Sequence, residues 1–198
     1  MRRVALLTVA MVTLLGCVGV AHAVGPITFD ELPVGTVVDN QYASLGVVFL
    51  PGDVTGMLPI ISMNGAMPTA PVLSPQGQYT PPQYWQYAGD FWMEFVQPVT
   101  SVQFISGYWD TPATGQIDLF DPGGGLITTA TNAGMGPETM SFSGLGNIKK
   151  IYFNSLYDGA GADIDNLQFT PVPEPGTLAL LCLGGTGLLA GFRRRCRN

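Results

Sequence analysis

The most informative absence is that of cysteine and histidine from residues 24–172. All three cysteines, Cys17, Cys182 and Cys196, and the single histidine, His22, lie outside that range. Ser-His-Asp and Cys-His nucleophilic sites, histidine general bases and His-ligated zinc are therefore excluded there. Disulfides are excluded as well, so this stretch must be held by its own apolar core, which a chain of about 150 residues can bury.

Positive charge is almost as scarce in the same stretch. Lys149 and Lys150 are its only basic residues, against thirteen Asp and Glu, which gives a net charge of −11. A surface this acidic repels nucleic acid and anionic lipid, so neither is expected as a partner. The composition suits a soluble protein outside the cell and is compatible with cation binding.

A helical period of apolar residues is also lacking in residues 24–172. Short runs of apolar and β-branched residues recur instead, separated by turn-forming residues. We expect an all-β fold, an antiparallel β-sandwich or jelly roll. The nine predicted strands are 27–32, 45–50, 91–96, 101–108, 116–121, 126–131, 139–142, 148–154 and 163–169.

Residues 51–82 depart from the strand pattern. They contain seven prolines and few apolar alternations, which predicts a long loop or an irregular excursion across the sheet. A loop of that length is unusual in a small domain and often marks function. The alternative is an insertion that merely covers a sheet.

The first 23 residues have the three parts of a secretory signal. Arg2 and Arg3 precede an apolar run over residues 4–15, and small residues, Ala21 and Ala23, occupy the positions that signal peptidase must accommodate. Cleavage after Ala23 is expected. A lipobox that ends at Cys17 is the alternative.

The last 28 residues contain a second distinctive segment. Pro173, Glu174 and Pro175 precede an uncharged stretch over residues 177–192, and an arginine cluster follows. A helix over that stretch would be about 24 Å long, against about 30 Å of hydrocarbon, so the expected transmembrane helix is short for a permanent anchor. The cluster, Arg193, Arg194, Arg195 and Arg197, favours the cytoplasmic side and leaves the preceding domain outside.

The order of these parts resembles the PEP-CTERM sorting signal, the segment associated with exosortase-type membrane proteases in Gram-negative bacteria. The resemblance implies signal peptidase and an exosortase-type protease as partners, with processing near Pro173, Glu174 and Pro175. It also implies an inner-membrane intermediate, delivery to the cell surface, outer envelope or extracellular matrix, and exopolysaccharide as a partner. An ordinary tail anchor and a buried core helix are the alternatives. The expected domains are 1–23, 24–170 and 171–198.

Two shorter similarities bear on the fold of the central domain. The opening over residues 29–36, 41–42 and 46–49 resembles the entry of many exported proteins that carry this signal. Residues 162–169 resemble the last strand of jelly rolls of the carbohydrate-binding-module type. Both similarities imply the same all-β class as the strand pattern.

The jelly-roll similarity also implies a structural calcium ion between the first and last strands. The matching positions are Asp30 or Glu31 near the start and Asp163 or Asp165 near the end. Calcium takes about six to eight oxygen ligands, which clustered carboxylates and carbonyl groups can supply. The alternative is that these acids are solvated at strand ends and turns.

A cluster of aromatic residues between positions 79 and 109 is the candidate ligand surface. A sugar ring has an apolar face and a polar rim, so flat aromatic side chains beside amides and carboxylates can bind it. The candidate glycan-binding residues are Tyr84, Trp85, Tyr87 and Trp109, and their polar neighbours are Gln83, Gln86, Asp90 and Asp110. The alternative is that Trp92 and Trp109 are core residues and the tyrosines hold the long loop.

Catalysis could rest only on carboxylates. A glycoside hydrolase needs two acids about 5–10 Å apart in a cleft, and Asp110 with Asp118 is the one conceivable pair, although nothing in the spacing is diagnostic. We therefore expect no enzyme. The leading hypothesis is an exported, non-catalytic β domain, with a glycan-binding module and a surface-anchored carboxylate hydrolase as the alternatives.

Overall fold

Nine antiparallel strands and one short 3-10 turn make up the secondary structure of the residues that the structure describes. The computed structural model describes residues 22–63, 69–77, 88–159 and 161–173. Every strand pairing within those residues is antiparallel, so the predicted all-β antiparallel class is confirmed. The strands are β1 Val24–Ile27, β2 Val47–Pro51, β3 Ile60–Ser62, β4 Val72–Ser74, β5 Asp90–Trp109, β6 Gln116–Phe120, β7 Leu126–Ala130, β8 Gly136–Asn154 and β9 Asp163–Pro171, and the turn is Ala43–Leu45.

β5 and β8 pair along almost their whole length and organise the other strands around them. A register shift divides this β5–β8 ladder in two. We call residues 90–95 with 150–154 its first half, and residues 99–109 with 136–148 its second half. β2 and then β6 and β7 flank the first half, whereas β9, β4 and β3 continue from the second half, with β1 also paired to β9.

The ladder folds back on itself. Trp109, at the far end of β5, contacts Phe153, which pairs with Phe91 at the near end, and the ring centroids are 5.9 Å apart. The eighteen residue steps from position 91 to position 109 would span about 60 Å if the strand were straight. The two halves therefore lie on opposite sides of one core.

Large aromatic side chains fill that core. Phe49, Phe91, Phe153 and Phe29 are at most 1% exposed. Burial of each such side chain contributes about 1.5–3 kcal/mol. The ring contacts run Phe29–Tyr42 at 5.3 Å, Phe29–Phe49 at 6.2 Å, Phe49–Phe91 at 6.1 Å and Phe91–Phe153 at 5.2 Å.

The predicted strand bounds were wrong at the first strand and in the two long strands β5 and β8. The strand expected over residues 27–32 ends at Ile27, because the chain turns at Phe29, whose φ is 62°. The strands expected over 91–96 and 101–108 are one strand, β5, and those expected over 139–142 and 148–154 are likewise one strand, β8. Register shifts let both strands bend without ending.

The sequence predicted a long loop or an irregular excursion over residues 51–82, but part of this stretch forms strands. β3 and β4 lie in the described part of this stretch and pair with each other. β4 joins the sheet through Leu73, opposite Ile164 of β9. Leu73 and Ile61 are at most 1% exposed. The two short strands β3 and β4 therefore contribute apolar side chains to the core.

Candidate functional site

The predicted processing points flank two neighbouring strands. Ala23 is exposed and directly precedes β1, whose Val24 pairs with Phe169 of β9. At the other end of the domain, the Val172 N–H donates a hydrogen bond to the Pro98 carbonyl at 2.8 Å. The folded domain therefore extends to the residue before Pro173, which is exposed.

The other residues of both signals lie outside the described residues. These are Ala21, Glu174, Pro175, Arg193, Arg194 and Arg195, together with the proposed transmembrane helix over 177–192. Among the described residues, no helix is long and apolar enough to cross a membrane.

The four residues proposed as calcium ligands differ in burial. Asp30 and Glu31 are exposed, whereas Asp163 and Asp165 are fully buried in β9. The Asp165 carboxylate accepts hydrogen bonds from the Thr69 hydroxyl and, at 2.7 Å, from the Asn166 N–H. Burial raises the pKa of Asp165, and nearby Asp30 adds to the rise, although the two hydrogen bonds oppose it.

Of the four proposed calcium ligands, Asp30 and Asp165 lie close enough to interact electrostatically. No three acidic, histidine or cysteine side chains among the described residues converge closely enough to hold a metal ion. Glu31 lies instead beside the phenol of Tyr42, and burial together with that carboxylate raises the Tyr42 pKa. Calcium binding stays a prediction.

The two tryptophans at either end of β5 occupy opposite environments. Trp109 is 2% exposed and packs on Phe153, so its ring faces are covered and its assignment to a glycan surface was wrong. Trp92 is partly exposed and lies on the outer face of the first half, so its assignment to the core was wrong too. The other proposed glycan residues, Tyr84, Trp85 and Tyr87, lie outside the described residues.

The two carboxylates considered for hydrolysis have separate structural surroundings. Asp110 is exposed in the loop after β5, and its N–H donates to the Asp158 carboxylate at 2.9 Å. Asp118 lies within β6 and accepts hydrogen bonds from the Thr129 hydroxyl at 2.6 Å and the Gln116 amide at 2.7 Å.

Asp90, which the sequence suggested as an accessible polar neighbour of the glycan residues, is instead a buried carboxylate at the start of β5. Asp90 is fully buried, and its Oδ2 accepts hydrogen bonds from the Val54 N–H at 2.8 Å and the Tyr152 hydroxyl at 2.7 Å. Its Oδ1 accepts from the Thr55 N–H at 2.9 Å. Burial alone would raise the pKa of Asp90, but these hydrogen bonds outweigh it and hold the pKa below its usual value.

The Asp90 hydrogen bonds fix the turn after β2 against the outer face of the sheet. A Cβ at Gly52 would lie 2.3 Å from the Asp90 carboxylate, so only glycine fits there. The same turn carries Asp53, whose Oδ1 accepts a hydrogen bond from the Trp92 indole at 2.9 Å. The Gly52–Gly56 turn signal is visible in the sequence, but its partner is not.

Both lysines of the domain converge on Glu94. Lys149 lies 3.4 Å and Lys150 2.9 Å from the Glu94 carboxylate. The Lys149 ammonium also donates to the carbonyls of Phe95 and Val96, where β5 begins to bend. Burial would raise the pKa of Glu94, but the two lysines lower it.

Comparison with protein families identifies one segment of the chain. Residues 171–195 match the PEP-CTERM protein-sorting motif, so the resemblance noted in the sequence is confirmed. No curated protein is significantly similar to the chain.

Several solved structures resemble the domain in part. An arabinose-bound α-L-arabinofuranosidase is 11% identical with a TM-score of 0.40, over 78% of this chain and 27% of that one. A family 29 carbohydrate-binding module is 13% identical with a TM-score of 0.32, over 63% and 89%. The enzymatically active domain of a bacteriophage tailspike protein is 15% identical with a TM-score of 0.30, over 71% and 18%. This chain thus spans less than a third of the arabinofuranosidase and tailspike chains.

Proposed function

We propose that this protein is exported, held for a time in the inner membrane by its sorting segment, and delivered to the cell surface or the extracellular matrix. The observation that carries the proposal is the PEP-CTERM motif over residues 171–195. Such a motif implies export and processing by an exosortase-type protease. Signal peptidase would act after Ala23, and a transmembrane helix over 177–192 would hold the intermediate.

The delivered part is the β domain, which we assign to the β-sandwich class and to a non-catalytic role. Residues 24–172 contain no histidine or cysteine, and the two acids considered for hydrolysis are engaged separately. Association with exopolysaccharide is the setting that we propose for a domain of this kind.

Substitution of the motif tests the sorting proposal. In the full chain, produced in a bacterium that has an exosortase-type protease, Pro173, Glu174 and Pro175 are all changed to Ala. We expect the parent protein in the outer envelope or medium and the variant in the inner-membrane fraction, because the protease no longer recognises it. Pro122→Ala, an exposed turn substitution, is the matched control and should be sorted normally. Normal sorting of the triple variant would refute the proposal.

A further inference from the structure

An apolar strip crosses the outer face of the five strands around the first half of the ladder. Phe91 and Met93 of β5 point to the core and are fully buried, so Trp92 between them points outward. Trp92 pairs with Leu50 of β2 on one side and with Tyr152 of β8 on the other. Phe120 of β6 and Leu126 of β7 form a further cross-strand pair. We call these five outward residues the aromatic strip: Leu50, Trp92, Tyr152, Phe120 and Leu126.

The rings of the aromatic strip form one continuous surface. Trp92 and Phe120 lie on strands separated by β8, about 9.6 Å apart at the backbone. Their ring centroids are nevertheless only 5.2 Å apart, so the two side chains lean together above β8. Tyr152 lies 4.8 Å from Trp92 and is 8% exposed, so it forms the floor beneath them. Trp92 and Phe120 remain partly exposed, and Leu126 is 57% exposed.

Hydrogen-bonding groups surround the aromatic strip on both sides. Asp53 is exposed and orients the Trp92 indole. Glu94 and Lys150 lie along one side, with side chains that are 25% and 41% exposed. Thr129, exposed on β7, and Gln116, partly exposed on β6, lie along the other side. Hydrogen bonds and ion pairs within the protein hold these polar side chains in position before a ligand binds.

The aromatic strip lies outside the main core. The core lies on the opposite face of the same strands, where Phe91, Phe153 and Leu119 are fully buried. Apolar residues that line up on an outer face, with polar groups around them, mark ligand or partner sites. A strip that spans five strands is about 19 Å long, which suits an extended chain rather than a small compact ligand.

We infer that the aromatic strip binds a neutral polysaccharide, with sugar rings stacked on Trp92 and Phe120 and their hydroxyls bonded to the surrounding polar groups. Stacking uses the apolar face of a sugar ring, and the carboxylates, amide and hydroxyl satisfy its rim. The net charge of −11 over residues 24–172 disfavours polyanions. The inference concerns the purified domain and does not depend on how the protein is sorted.

Native affinity electrophoresis tests the inference. The exported protein, produced from the full chain, is run through gels that contain glucomannan, hydroxyethylcellulose, dextran or, as the polyanion, alginate. We expect at least one neutral polysaccharide to retard the protein and alginate not to. Trp92→Ala should weaken that binding by up to about tenfold, the size expected for the loss of one stacking contact. Tyr157→Ala, which removes an aromatic residue that is 77% exposed outside the strip, is the matched control and should bind like the parent.

A second variant protects the test against misfolding of Trp92→Ala. Leu126→Ser changes the exposed end of the strip without touching the core, and it should also weaken binding while the thermal midpoint stays unchanged. Three outcomes would overturn the inference: no retardation by any neutral polysaccharide, binding by Trp92→Ala equal to that of the parent, or equal retardation by alginate. Self-association that is lost in Trp92→Ala, measured by light scattering, would overturn it in favour of a second copy of the chain.

Discussion

The two halves of the β5–β8 ladder have the same kind of inner face and very different outer faces. Inward, both carry large apolar side chains, Phe91 and Phe153 in the first half and Phe104 and Phe142 in the second. Outward, the first half carries the aromatic strip together with Glu94 and Lys150. The second half carries uncharged side chains in the cross-strand pairs Ser101–Ser143, Gln103–Ser141 and Ile105–Thr139, and the exposed Tyr108 near its end.

The comparison separates what folding demands from what it leaves free. Both inner faces must be apolar because the halves lie on opposite sides of one core, and both halves fill that core with phenylalanine. The outer face of the second half shows that these strands fold well with serine, threonine and glutamine there. Trp92 and Phe120, which stay partly exposed on the outer face of the first half, are therefore the residues whose aromatic character ligand binding would explain.

The largest expected effect comes from Phe153→Ala. Phe153 is fully buried and contacts both Phe91 of the first half and Trp109 at the end of the second. Its loss should lower the free energy of unfolding by about 3–5 kcal/mol. Urea unfolding followed by far-UV circular dichroism and by tryptophan fluorescence should give one coincident transition. Separate transitions for the two probes would show that the halves do not share a core.

Asp90→Ala should come next. It leaves the buried Thr55 N–H and Tyr152 hydroxyl and the partly buried Val54 N–H without their acceptor, at a cost of about 3 kcal/mol. Asp121→Ala removes a carboxylate that also accepts two backbone hydrogen bonds, but in an exposed turn, and should cost clearly less. Equal losses in urea unfolding would contradict the importance of burial.

The contribution of Asp90 to the free energy of unfolding should also depend on pH, which urea unfolding at acidic pH measures. Because the folded pKa of Asp90 is lowered, its contribution is present above the unfolded value, about 3.9, and is lost as the pH falls through the folded value. The parent should therefore lose more stability than Asp90→Ala on acidification below about pH 4.

A smaller effect of opposite sign is expected for Asp165→Asn. The folded pKa of Asp165 is raised, so the folded state holds its proton more tightly, and stability declines as the pH rises from about 3.9 through that raised value. The substitution removes this decline, so the ratio of variant to parent stability should increase from acidic to neutral pH. Thermal midpoints across that range measure it, and parallel pH profiles would contradict the prediction.

The smallest effect is expected on the outer face of the second half. Gln103 is exposed and contacts Ser141 through one hydrogen bond at 3.2 Å. Gln103→Ala should change the free energy of unfolding by no more than about 0.5 kcal/mol and leave retardation by neutral polysaccharide unchanged. Loss of polysaccharide binding in this variant would erase the distinction between the two outer faces.

The sequence predicted the fold class because strand alternation is a local signal. Ile117 and Leu119, or Val102 and Phe104, alternate with polar neighbours, and all four are buried. Which residues of a strand face the core after a β-bulge cannot be decided from the neighbouring sequence. Inward positions in β5 are odd-numbered up to Val99 and even-numbered from Val102, and a further register shift precedes Trp109. The environments of Trp92 and Trp109 therefore could not be read from spacing alone.

The structural role of Asp90 depends on contacts between distant parts of the chain. Asp90 is 36 residues from Val54 and 62 residues from Tyr152. The sequence shows a glycine-rich turn and an acid, but not that the acid accepts the N–H groups of that turn. The sorting motif was predictable because its parts are contiguous.

The central claim is that residues 24–172 are delivered outside the cell after both ends have been processed. Intact-mass spectrometry of the protein recovered from the cell surface or medium tests it most directly. We predict a species that begins at Val24 and lacks the arginine cluster at Arg193, Arg194 and Arg195. A surface-exposed species that retains Asn198 would contradict the account.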